Sequence, residues 1–278
     1  MTVIKTNTGS LYAQQAMTSN ARGLATVMQQ LSTGKRINNS VDDVAGMAIA
    51  TRLSAQIRGL NQAVRNANDG ISLIQTAEGA TEQVTNMLQR MRELAVQAIN
   101  DTNNTADRSY LDLEFGKLKT QINNISKWTE WNGSTLLSGT GSTKTFKFQV
   151  GASPSQIISV SLKNMSTSTS GGLAAVGSLA AITTSTGANA ALTTIVTALN
   201  TVSSARANMG ATISQLQFTS DNLANISAKT QESRSRIEDT DYSQATTELA
   251  KRNIIQQAAQ SMLAQANQAP QLVLQLLR

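Results

Sequence analysis

Two pairs of carboxylates stand close together in the chain: Asp42 beside Asp43, and Asp239 two residues before Asp241. Paired carboxylates can divide general-acid and general-base duty when their surroundings push their proton affinities apart. That chemistry also needs a nucleophile, a second base or a metal. Beyond Lys35 and Arg36, nothing basic or nucleophilic accompanies the first pair at useful spacing. The chain has no histidine and no cysteine, which removes thiol nucleophiles, imidazole bases, serine–histidine–aspartate triads and the usual zinc ligand sets together. It also removes disulfides, so cysteine usage says nothing about redox compartment. The carboxylates read better as helix caps. Ser40 with Asp43 three residues later resembles a capping box with Asp in the usual Glu place, and both Asp42 and Asp43 suit the positive end of a helix dipole. Asp239 and Asp241 carry the same reading. No catalytic residue, cofactor or metal is expected.

Other candidate positions are weighed the same way. Trp128 and Trp131, three apart beside Asn132-Gly133, could stack on a carbohydrate; the reading adopted is that they cover the base of a hydrophobic core. Arg90, Arg92 and Glu93 suit a solvated helix face with local charge pairs. The tract MSTSTSGG (165–172) is either a plain exposed loop or a hydroxyl-rich site for surface O-glycosylation. The methionines at 17, 28, 91, 209 and 262 fall on apolar seams and read as core fillers.

The composition narrows the class further. Aromatics are 3% and charged residues 14% of 278, with a net charge of +6. These are too few aromatics for an ordinary enzyme and too few charges for an ordinary disordered tail. The positive balance arises because no acid precedes Asp42 and none lies between Glu130 and Asp221. The basic residues are scattered rather than striped, so nucleic acid is not the expected partner. No run of about 18 apolar residues exists, so no membrane insertion is expected. The N-terminus lacks the compact apolar region and cleavage site of a secretory signal, which leaves a cytoplasmic protein or export without a cleaved signal.

The elements that carry these residues are mostly long helices. Met17, Ala21, Leu24, Met28 and Leu31 are spaced 4-3-4-3, a heptad seam for a first helix from about Ser10 to Thr33, ended by Gly34 in a left-handed conformation. A second helix from near Ser40 carries a seam through Leu53, Ile57, Leu60 and onward to Ala98, more than 50 residues in all. The turn at 101–108 leads to a helix with Leu111, Phe115, Leu118, Ile122 and Ile125 on one face. The segment WTEWNGSTLLSGTGS reads as loop. The period then becomes two: Phe146, Phe148 and Val150 share one face, Ile158, Val160 and Leu162 another. They predict a β-hairpin over about 143–163 with Pro154 in the connection. Residues 163–190 read as loop or weak structure. Another long helix follows from about Leu192, with Arg206 and Ser220 on its seam. A last helix from about Tyr242 places Ile255, Ala259, Met262, Ala266, Ala269, Val273 and Leu276 at 4-3 spacing, with Pro270 expected to kink it.

The ends mirror each other. Each carries roughly 35 residues of nearly uncharged heptad helix, bounded by a charged junction: Gly34, Lys35, Arg36, Asp42 and Asp43 on one side, Glu238, Asp239 and Asp241 on the other. The matching lengths predict that the terminal helices pair antiparallel as one domain, 1–42 with 237–278. Its connector falls at about 34–42 and 236–243. Residues 43–236 would form a second, helical domain holding the hairpin. The fold class is mainly α, a long-helix coiled-coil bundle with a small β element.

At this point a family resemblance is close. LSTGKRINNSVDDVAGMAIATRL (31–53), RNANDGISLIQTAEGA (65–80), LQRMRELAVQAIN (88–100), FQVGAS (148–153) and SMLAQANQAPQLVLQLL (261–277) resemble the bacterial flagellins, and with their spacings they cover nearly all of both ends. The resemblance implies a minimal flagellin with an inner terminal coiled coil and one outer domain. It implies a subunit that self-assembles into the motile filament outside the cell. It also implies export, unfolded, through the flagellar channel. Filament packing would rest on Met17, Ala21, Leu24, Met28, Leu31, Ile255, Ala259, Met262, Ala266, Val273 and Leu276. The implied partners are further copies of the chain, an export chaperone on the C-terminal helix, and the flagellar cap and hook-junction proteins. A Toll-like receptor of an animal host is a further implied partner, through Arg90, Glu93, Leu94 and Glu114. The alternatives kept open are a flagellin-like surface adhesin and a hook–filament junction protein.

Overall fold

The computed structural model describes residues 6–139, 141–168 and 171–276, with side chains as far as 268. Six helices and four short strands follow one another: α1 (Thr8–Thr33), α2 (Val44–Ile99), α3 (Thr105–Trp128), β1 (Glu130–Trp131), β2 (Ser134–Thr135), β3 (Thr143–Gln149), β4 (Ile157–Lys163), α4 (Ala174–Gly177), α5 (Ser185–Glu238) and α6 (Tyr242–Leu276). The chain divides into two compact units, residues 1–57 with 228–278 and residues 58–227. The division falls within the two longest helices, α2 of 56 residues and α5 of 54. The charged junctions at 34–43 and 236–243 therefore both lie inside the first unit.

Polar side chains set most helix starts. Asn7 accepts from Ser10 N at 3.0 Å and opens α1 two residues earlier than the seam predicted. Gly34 closes α1 at φ 71, its N–H donating to Gln30 O, in the left-handed cap expected. The capping box at Ser40 is not what forms. Asp43 itself is the cap of α2, its Oδ1 accepting from Gly46 N at 2.8 Å, and Ser40 stays in the preceding turn. Asn104 and Asp107 form a reciprocal box at the start of α3. Asp241 caps α6 by accepting from Ser243 N at 2.9 Å. Helix α6 continues through Pro270.

In the second unit α2 and α5 pair along their length, with α3 and the strands packed around one core. Leu88, Met91, Ile122, Leu137, Met165 and Ile195 are among its fully buried side chains. Two polar features join α2 to α5: Ser227 Oγ lies 2.9 Å from Asn61 Oδ1, and Arg206 Nη2 lies 3.8 Å from Glu78 Oε1. The charge expected on the α5 seam is thereby turned aside, and Ala205 takes the buried position next to it. The expected hairpin β3–β4 forms, pairing Phe146 with Val160 and Phe148 with Ile158. It can lie on α2 because Gly70 leaves room: a Cβ there would meet the Phe148 ring at 3.1 Å.

Three expectations fail in this unit. The segment after Trp128 is a second, two-residue antiparallel hairpin, β1–β2, turning on Asn132 (φ 48) and Gly133 (φ 74). Both residues at positive φ is the signature of the tight turn that Asn-Gly favours. Trp128 is 69% exposed and Trp131 is also open to solvent, so neither covers the core; Leu136 and Leu137 do. Residues 164–168 and 178–184 keep the expected loop character, but the described part of 163–190 is anchored in the core rather than weak. Met165, Leu173, Val176 and Ile182 are buried, α5 begins at Ser185, and Ser166 is a buried hydroxyl hydrogen bonded to Asn123 and Ser168. Of the tract 165–172, Ser168 is the exposed hydroxyl among the described residues; Thr169 and Ser170 lie outside them.

Candidate functional site

The charged residues of both junctions meet in one cluster. Lys35 and Asp239 form an antiparallel β-bridge, with Arg36 N donating to Glu238 O at 2.7 Å and Thr240 N donating to Gly34 O at 3.0 Å. Side chains reinforce the crossing. Lys35 Nζ lies 2.6 Å from Glu238 Oε1, and Arg36 Nη2 donates to Ile237 O at 2.7 Å. Arg36 also lies 3.7 Å from Asp43, and Arg234 lies 3.7 Å from Glu238. Beneath them Ile37 is buried. Asp42 does not join the ion pairs. Its Oδ2 accepts from Asn38 N and Asn39 N, and these two backbone bonds, Asn39 first, hold its carboxyl below the ordinary carboxylate pKa. Asp239 accepts from Ser235 Oγ. A carboxylate kept ionised by amides, and others tied to cations or serving as caps, are unsuited to proton transfer.

Helices α1 and α6 pair antiparallel, marked by three cross-links: Asn7 Nδ2 to Ala266 O at 2.7 Å, Asn20 Nδ2 to Arg252 O at 2.9 Å, and Tyr242 Oη to Leu31 O at 3.1 Å. Their shared face is rotated from the seams read in the sequence. On α1 it runs through Met17, Asn20, Leu24, Val27 and Leu31; on α6 through Ala245, Leu249, Arg252, Gln256, Ala259, Leu263 and Ala266. Met17, Leu24, Leu31, Ala259 and Ala266 keep their places on it, while Ala21, Met28, Ile255 and Met262 are exposed. The side chains of Val273 and Leu276 lie outside the described residues. This face is small and partly polar: Asn20 is buried, and Arg252 spreads its guanidinium over Gly23 with Nε 2.9 Å from Glu248. Several large apolar side chains point away from it. Met28 is 55% exposed, Ile254 66% and Met262 61%.

On the second unit, Arg90 bridges two acids, Glu114 at 2.9 Å and Glu93 at 3.0 Å. Those bonds, Glu114 first, raise the guanidinium's pKa above its ordinary value. All three residues are solvent-accessible. Leu94, grouped with them in the sequence, is 1% exposed and belongs to the core. Nearby, Gln89, Arg92, Glu93, Val96 and Gln97 of α2 with Leu199 of α5 line a hollow of about 620 Å³. Its lining mixes four polar or charged side chains with Val96 and Leu199. Among the described residues no group of three His, Cys, Asp or Glu could hold a metal ion, and no helix is long and apolar enough to cross a membrane.

Comparison with known proteins accounts for this arrangement. The bacterial flagellin N-terminal helical region matches residues 4–142, and the bacterial flagellin C-terminal helical region matches residues 192–277. A flagellin of Halalkalibacterium halodurans is 44% identical over 278 residues, covering 99% of this chain and 100% of that protein. The B-type flagellin of Pseudomonas aeruginosa is 48% identical over 168 residues, 60% of this chain but 34% of that longer protein. A solved structure described as a flagellar hook-associated protein of Vibrio parahaemolyticus has a TM-score of 0.59 at 15% identity, over 71% of this chain and 100% of that one. That last likeness is of fold alone. Together the matches define a helical structural protein of the bacterial flagellum, without enzymatic activity. The chain belongs to the bacterial flagellin family, and is a subunit that self-assembles into the flagellar filament for motility.

Proposed function

We propose that this flagellin builds its filament through the outward faces of α1 and α6. The observation that carries this reading is the exposure of Met28, Ile254, Ile255 and Met262 on two helices whose shared face leaves them uncovered. Exposed apolar stripes of this kind mark surfaces for association. Contacts between unlike faces of identical copies do not close on themselves, and so propagate an open helical polymer. Residues 1–42 with 237–278 act as the inner assembly domain and 43–236 as the outer one. Gly34, Lys35, Arg36, Asp42, Asp43, Glu238, Asp239 and Asp241 serve as the connector, with Val273 and Leu276 extending the assembly face.

The same helices serve before assembly. The subunit leaves the cell unfolded through the flagellar export channel, without a cleaved signal. An export chaperone holds the apolar, nearly uncharged 242–278 segment on the way. Growth occurs beneath the flagellar cap and above the hook-junction proteins. A host Toll-like receptor reads the exposed Arg90, Glu93 and Glu114 cluster; Leu94 contributes to that surface only by supporting it from within.

The decisive experiment is reassembly. Purified subunits are dissociated in acid, returned to neutral pH with sheared-filament seeds, and viewed by electron microscopy. Long tubes are expected from the full chain and none from a chain lacking residues 255–278. Polymerisation of the truncated chain would overturn the terminal-pair mechanism. Receptor reading is tested separately: Arg90→Ala with Glu114→Ala should lower receptor signalling while leaving polymerisation intact.

A further inference from the structure

The chain contains nine methionines and no cysteine. Its thioethers are therefore the side chains most open to two-electron oxidation. Their surroundings differ sharply. Met91, Met165 and Met209 are buried in the second unit, and Met17, Met47 and Met87 are partly covered. Met28 and Met262 alone among the described methionines are exposed. Both lie on the terminal pair, on the sides of α1 and α6 turned away from their shared face.

We infer that Met28 and Met262 are peroxide-sensitive modification sites whose conversion to sulfoxide bars a free subunit from joining a filament. The step balances with hydrogen peroxide as oxidant. A sulfur lone pair attacks one peroxide oxygen, the S–O bond forms as the O–O bond breaks, and the second oxygen leaves as water after proton transfer. Sulfur loses two electrons and the peroxide gains them. The product replaces a flexible apolar thioether with a polar, chiral acceptor. The apolar neighbours on those faces include Ile254 and Ile255. Burying a sulfoxide oxygen against apolar side chains of this kind leaves it without a partner, and that is costly. Once buried in a filament, the same sulfurs are shielded. The sensitivity thus belongs to the subunit before incorporation, and oxidised copies are rejected at the growing end.

The inference rests on the proposal that these outward faces pack between copies, and the test separates the two. Free subunits are treated with dilute hydrogen peroxide, mapped by peptide mass spectrometry, and added to sheared-filament seeds while light scattering follows elongation. Met28 and Met262 should gain oxygen before Met91, Met165 and Met209, and elongation should slow by about tenfold or more, the factor for losing one buried side chain's worth of contact. Treatment with a methionine sulfoxide reductase should restore elongation. The double variant Met28→Leu with Met262→Leu, close in volume and free of sulfur, should elongate equally well with and without peroxide. Normal elongation by fully oxidised subunits overturns the inference, as does a double variant that slows as much as the natural chain, or reduction that restores the thioethers but not growth. Finished filaments receive the same peroxide. Oxidation of Met28 and Met262 there at the free-subunit rate overturns the packing proposal itself; protection there, with oxidised free subunits still elongating, overturns the oxidation inference alone.

Discussion

The 58–227 unit and the α1–α6 pair bury opposite kinds of surface. In the former, α2, α3, α5 and the hairpin close around Ile74, Leu88, Ile122, Leu162 and Ile195, all almost completely sealed from solvent. In the latter, two helices meet over Leu24, Val27, Leu31, Leu249 and Leu263 interrupted by Asn20, Arg252 and Gln256, and Met28, Ile254 and Met262 stay outside. The lesson is that one region is finished within the subunit and the other is not. Two helices joined by one narrow seam that Asn20, Arg252 and Gln256 interrupt remove little apolar area from water, so the pair gains much of its stability from whatever covers its other faces.

The sharpest way to break the comparison is to hollow out the finished region. Leu88→Ala should cost about 3 kcal/mol through lost transfer energy and a cavity, read as a fall in the thermal midpoint by circular dichroism. Next is Gly34→Ala, which forces a Cβ into a left-handed position (φ 71) and should cost about 1–2 kcal/mol. That loss should appear in proteolysis of the terminal pair before it appears in the core. Asn20→Leu works the other way. It replaces a buried polar seam residue with an apolar one and should stabilise the isolated pair by about 1 kcal/mol, narrowing the contrast; a destabilised pair would show that the Asn20–Arg252 bond sets the register. Lys35→Gln removes one half-exposed ion pair and should cost about 0.5 kcal/mol, vanishing at high salt.

The smallest effect is titration at Asp42. Its folded pKa lies below the ordinary 3.8 because Asn39 and Asn38 amides favour the ionised form. Its contribution is therefore complete above 3.8 and is lost as pH falls through the lowered value. Amide exchange at Asn38 and Asn39 should stay slow at mildly acidic pH and quicken only below that window. Quickening that begins well above 3.8 would contradict the assignment.

What the sequence made legible followed the strength of its periodicities. The β3–β4 hairpin was readable because Phe146, Phe148 and Val150, and then Ile158, Val160 and Leu162, alternate over enough residues to fix the period. The long α2 was readable because its apolar positions recur through more than a dozen turns. The terminal seams were legible in period but not in phase. Met28 outranks Asn20 in hydropathy, so the sequence favours Met28 on the shared face; a helix apolar on two sides has no single phase. The β1–β2 hairpin escaped because two-residue strands show no alternation, although Asn132-Gly133 announced the turn. Residues 163–190 escaped because Met165, Leu173 and Ile182 are buried singly, at irregular spacing. At the connector, the caps were legible as chemistry, but Asp43 and not Ser40 is the residue whose oxygen accepts from the first turn of α2. Leu94, grouped with Arg90 by the family motif, lies on the buried stripe of α2 while Arg90 lies on its surface.

The bridge between Lys35 and Asp239 has a mechanical consequence. A single strand between two helices can swivel about its own bonds at almost no cost. Here two strands run side by side in opposite directions, tied by Arg36 N to Glu238 O and Thr240 N to Gly34 O. Twisting one about the other must stretch both ties at once, whereas bending across the ribbon spares them. The junction should therefore transmit torque far better than it resists flexure, which is the behaviour wanted of a part in a rotating propeller.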